Sequence, residues 1–92
     1  MNQRIDNLRD AIQIGHHCRA EHVASTLIVE RLPNGAIWRG TVEVFDIIGH
    51  AEAKRCYAWS QSAATQESPV IVLEIAPVRS AQTAVRAAFV RQ

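Results

Sequence analysis

The chain has 92 residues, with ten Lys and Arg against nine Asp and Glu and a net charge of +1. That length allows one domain with one core, and the charge balance excludes a global field that would steer it onto phosphate or an anionic membrane. Its apolar residues include 14 Ala, 18 Val or Ile and only four Leu; this β-branched excess fits a pleated sheet and excludes a helix-only fold.

The spacing of Ile5, Leu8 and Ile12 predicts a helix over residues 3–14, with Arg4, Arg9 and Gln13 off its apolar face. Asn2 suits its N-cap, and Gly15 suits a left-handed C-terminal cap. His22 to Arg31 has the β-branched density of a strand. Leu32-Pro33-Asn34-Gly35-Ala36 follows, and Asn-Gly between apolar runs is a strong hairpin signal. The partner strand runs from Ile37 to about Ile47, with Trp38, Val42 and Val44 on its core face. Gly49-His50 breaks it.

A third strand is predicted over Lys54–Gln61, with Tyr57 and Trp59 on one face and Cys56, Ala58 and Ser60 on the other. Residues 62–69 read as a polar loop. Val70–Ala76 reads as a nearly continuous apolar strand stopped by Pro77. Ser80 then caps a final helix from Ala81 to about Arg91. The expected fold is α+β, in the order α-β-β-β-β-α: a four-stranded antiparallel meander with two helices packed on one face.

Both strand faces carry apolar residues. Phe45, Ile47 and Ile37 lie opposite Trp38, and Val70 and Val72 lie opposite Ile71, Leu73 and Ile75. Large exposed apolar patches mark interfaces, so the expectation is a homodimer through a sheet face or edge, with Phe45, Tyr57 and Trp59 at the interface. A bulge at Gly40 or Gly49 would instead exchange the faces.

His16, His17, Cys18 and His22 form the one cluster with ligand-binding character, to which His50 or Cys56 would have to be added. No Cys-x-x-Cys spacing accompanies them, so neither a metal nor a cofactor is expected. A thiolate at Cys18 or Cys56 activated by a histidine would give nucleophilic catalysis, but Cys56 alternates with Ala58 as a small core residue does. Whether the chain is an enzyme stays open at this level. Glu74, within an apolar strand, calls for a partner such as Arg55 or Arg39.

RNA binding is a third class, resting on Arg79, Arg86 and Arg91. In outline the element order resembles a double-stranded-RNA-binding domain. That family's final helix opens on lysines, where this chain has Ser80, Gln82 and Thr83, and there is one strand too many, so nucleic acid is disfavoured as a partner. No apolar run is long enough to span a bilayer, and no apolar stretch before Ile14 suggests a signal peptide. Two cysteines fit reduced thiols, so a cytoplasmic location is expected.

Trp38-Arg39-Gly40-Thr41-Val42-Glu43-Val44-Phe45-Asp46, then Gly49-His50 and Lys54-Arg55-Cys56-Tyr57-Ala58-Trp59, resembles a pattern in short bacterial proteins of unassigned function, similar to those carried on mobile gene cassettes. The resemblance covers roughly residues 16 to 90 and implies a bacterial, cytoplasmic protein. It brings no activity and no site residues.

Overall fold

The computed structural model describes residues 3–63 and 66–90. Helix α1 (Gln3–His16) leads into strands β1 (Arg19–Arg31), β2 (Ile37–Ile48), β3 (Arg55–Ala63) and β4 (Gln66–Leu73), and the described chain closes with helix α2 (Ala81–Val90). The strands form one antiparallel sheet in the order β1-β2-β3-β4, so the α+β meander is as the sequence indicates.

The helices lie on opposite faces, not on one. Leu8 and Ile12 of α1 pack with Ala20, Phe45, Ile47, Cys56 and Ala58. Ala81, Ala84 and Val85 of α2 pack with Ile28, Val42, Val44, Tyr57 and Trp59. The reason is the strand composition: successive side chains point to opposite faces, and both sets are apolar. Each helix buries one of them. Phe45, Tyr57 and Trp59, expected at an interface, are therefore core residues, exposed by 0%, 4% and 2%.

Element ends also shift. The left-handed residue after α1 is His17 (φ 51), not Gly15, and the Gln13 side chain accepts the Ala20 N–H at 3.1 Å, fastening the turn into β1. Asn2 and Arg91 lie outside the described residues. Of the segment read as a loop, residues 62–63 and 66–69 extend β3 and β4. The Pro33-Asn34-Gly35 turn forms as read: Gly35 takes φ 89, its N–H donates to Leu32 O at 2.9 Å, and Asn34 Oδ1 accepts the Ala36 N–H at 2.9 Å. Ser80 caps α2, its Oγ accepting the Thr83 N–H at 3.2 Å, while Thr83 Oγ1 accepts the Ser80 N–H at 2.9 Å.

β2 and β3 pair only over Glu43–Asp46 and Arg55–Ala58. Beyond that junction the two hairpins part, and on the α2 face Trp38 meets Trp59 edge-on at 5.6 Å and Phe89 at 6.2 Å. Gly40 lies beneath the Trp38 ring; a Cβ there would stand 2.8 Å from the ring edge. The face-exchanging bulge, raised as the alternative at Gly40 or Gly49, is instead found in β1. His22 pairs with Phe45 and Ala24 with Val44, leaving Val23 as the extra residue. No helix among the described residues is long and apolar enough to cross a membrane.

Candidate functional site

Glu43 is the only charged residue buried among the described residues, at 0% exposure. A carboxylate out of water needs partners for both oxygens. Arg4, from the first turn of α1, donates from Nη2 to Oε2 at 2.7 Å. His22 Nε2 lies 2.8 Å from Oε1, and the Ser25 hydroxyl donates to the same Oε1. His22 also packs edge-on against Phe45 at 5.3 Å.

The bulge makes this convergence possible. In a regular strand, residues 22 and 25 point to opposite faces. The extra residue at Val23 exchanges the faces, so that His22 and Ser25 both lie on the α1 side, around Glu43 on the neighbouring strand. Ser25 was not legible as a site residue because no turn residue or glycine marks the bulge, and Arg4 was not because its partner Glu43 lies 39 residues along the chain on another element.

Ser, His and a carboxylate in one cluster invite comparison with a nucleophilic triad. There the imidazole stands between acid and hydroxyl and uses a different ring nitrogen for each. Here one nitrogen, His22 Nε2, faces both Glu43 Oε1 and, at 3.4 Å, Ser25 Oγ. Ser25 gives its proton straight to the carboxylate, so the imidazole has none to relay. The arrangement is a clasp joining α1 to β1 and β2.

The other predicted site residues do not join this group. His16 and His50 meet edge-on at 6.0 Å. His50 Nδ1 accepts the N–H groups of Glu52 and Ala53, each at 3.0 Å, which puts its ring proton on Nε2 and spends the residue on shaping the β2–β3 connection. His17 is exposed at the left-handed turn. Cys18 packs partly buried against the α1-side core, and Cys56 lies within that core. Burial, with smaller effects of Cys18 and Asp46, pushes the Cys56 thiol up to about 12. Burial also raises Cys18. A thiol held protonated is a poor nucleophile. No three His, Cys, Asp or Glu among the described residues converge as a metal site would require.

Two further polar groups stand on the α2 face. Arg55 pairs with Asp46 at 2.9 Å, not with Glu74 as its first partner, and this bond, more than any other contact, raises the guanidinium above its ordinary value. Glu74 instead accepts the Tyr57 hydroxyl; burial first, then that bond, hold the phenol well above its usual range. On the other side of α2, Glu30 accepts from Gln82 Nε2 and from Arg86 Nε, the latter at 2.7 Å. The Gln82 bond, then Arg86, keep its carboxyl below the ordinary value. That pair spans a cavity of about 310 Å³ floored by Leu32, Pro33 and Phe89.

The larger opening, about 460 Å³, runs along the outer edge of β4. Its lining is aliphatic apart from His16: Val70 to Leu73 and Ile75 below, Ala87 and Ala88 of α2 at the side. No protein-family model matches the chain, and no curated protein or solved structure does so either.

Proposed function

We propose that the chain is a small non-enzymatic binding module that acts as a homodimer in the bacterial cytoplasm, where Cys18 and Cys56 stay reduced. The observation that carries this reading is the aliphatic groove beside β4. Apolar surface left in contact with water is a liability unless something covers it. The polar clusters support the same reading from the other side. Glu43, His22, Ser25 and Arg4 are spent on one another, and His50 on its own loop.

Light scattering and equilibrium sedimentation of the untagged chain test the proposal. A dimer over the micromolar range, without bound metal, is the expected result. A strict monomer overturns it. So does stoichiometric zinc that is lost on Cys18→Ser, which would return the function to His16, His17, Cys18 and His22. Salt-dependent retention on a polyanion matrix, reduced by Arg79→Ala and Arg86→Ala, would move the protein to RNA binding.

A further inference from the structure

We infer that two copies join through their β4 strands, paired antiparallel about Ile71 into one continuous eight-stranded sheet; this deepens the homodimer reading and rests on it. Glu74 N–H donates to Arg55 O at 2.9 Å, and Arg55 lies opposite Glu74 in the register that pairs Cys56 with Leu73. That makes Arg55 and Glu74 a hydrogen-bonded pair. Bonded and non-bonded pairs alternate in an antiparallel ladder, so Val72 and Val70 bond inward to Tyr57 and Trp59. The backbone groups of Pro69, Ile71 and Leu73 then point out, away from β3.

Pro69 fits this phase, since its missing N–H costs β3 nothing. The outward carbonyl of Leu73 is also spoken for, because it accepts the Ile75 N–H at 2.9 Å. Between Pro69 and Leu73, what remains on the edge is the N–H and C=O of Ile71, the N–H of Leu73 and the C=O of Pro69. Two such edges are complementary to each other. With Ile71 opposite Ile71, each copy's Ile71 N–H meets the other's Ile71 C=O, and each Leu73 N–H meets the other's Pro69 C=O. The donor that Pro69 lacks stands opposite the one carbonyl already satisfied. Between Pro69 and Leu73 no outward group is orphaned, and Glu67, outward in the same phase, is exposed to water beyond that stretch; a foreign strand of arbitrary sequence does not guarantee such a match.

The surroundings agree. Residues 68–73, Ser-Pro-Val-Ile-Val-Leu, carry no charge that would repel a second copy. The small side chains of Ala87 and Ala88 leave space beside the edge. The opposite edge is closed to such pairing: β1 is bulged at Val23, and Gln82 Nε2 occupies the outward Val29 carbonyl at 3.1 Å.

The test is amide hydrogen exchange on the full chain at low and high concentration, alongside light scattering. Protection of Ile71 and Leu73 is expected to rise with dimer content, while Val70 and Val72 stay protected throughout. Ile71→Pro, which removes an outward donor and no bond to β3, is expected to weaken the dimer roughly tenfold to a hundredfold. A dimer whose Ile71 and Leu73 amides exchange freely overturns the β4 pairing while leaving the homodimer standing. A monomer at every concentration overturns both. Protection that arises in a monomer only when a synthetic extended valine-rich peptide is added assigns the edge to a foreign strand and overturns self-pairing. The exchange measurement uses the native chain, so it decides the matter even if Ile71→Pro does not fold.

Discussion

His22 and Ser25 are three residues apart in one β-strand and yet address the same carboxylate oxygen of Glu43. The extra residue at Val23 is what allows it. Because Glu43 has no access to water, each partner withdrawn leaves charge uncompensated. Ser25→Ala is expected to cost about 1–3 kcal/mol, the loss of a hydrogen bond to a buried carboxylate oxygen that keeps His22. Arg4→Ala removes the one permanent cation on Glu43 among the described residues, but that side chain is 44% exposed, so solvent screening holds its cost to about 1–2 kcal/mol. Denaturant unfolding with unchanged slope checks both, and the double variant should be non-additive because the two act on one group.

Gly40 supports a close approach and not a turn. Its added Cβ would meet the Trp38 ring edge at 2.8 Å, and Trp38 cannot swing freely because Trp59 and Phe89 pack against it. Gly40→Ala is therefore expected to destabilise by about 1–3 kcal/mol, the range for overpacking, with a change in tryptophan fluorescence. Retained stability and an unaltered spectrum would show that the ring yields.

These residues also mark how far sequence reading reaches here. The meander, the Asn34-Gly35 hairpin, the Ser80 cap and the facing of Trp38, Val42 and Val44 follow from local pattern, because alternation and capping are short-range properties. The apolar content of both strand faces was equally legible, but not its resolution. That depends on which way the chain leaves β4 to set α2 against Trp59, a tertiary outcome that the same pattern of residues permits either way. The clasp stayed hidden for a sharper reason. A one-residue slip exchanges faces, and the slip at Val23 has no compositional mark, so His22 could be singled out but Ser25 could not.

Glu30 gives the fold an acid-sensitive fastening. Its carboxyl sits below the ordinary value of 4.5 because Gln82 and Arg86 favour the charged form. A depressed acid contributes stability above its unfolded pKa and loses it as pH falls through the folded value. The hold of α2 on β1 is therefore expected to weaken only below about pH 4.5. Glu30→Gln should flatten that part of the stability profile and leave the profile near pH 7 parallel to that of the parent. An unchanged acid limb would place the titration elsewhere.

The two thiols should separate cleanly by reactivity. Cys56 is fully buried, and its burial pushes the thiol up to about 12, so at pH 8 almost none is thiolate. Cys18 is raised as well but is only partly buried, so it retains access to reagent. Labelling the native chain with iodoacetamide is expected to modify Cys18 slowly and Cys56 not at all, with Cys56 reacting once denaturant opens the α1-side core. The order matters for function, because a catalytic thiol would react fastest in the folded state. Rapid native labelling of Cys56 would contradict its place beneath α1; slow labelling that follows global unfolding would tie it to the core formed by Leu8, Ile12 and Phe45.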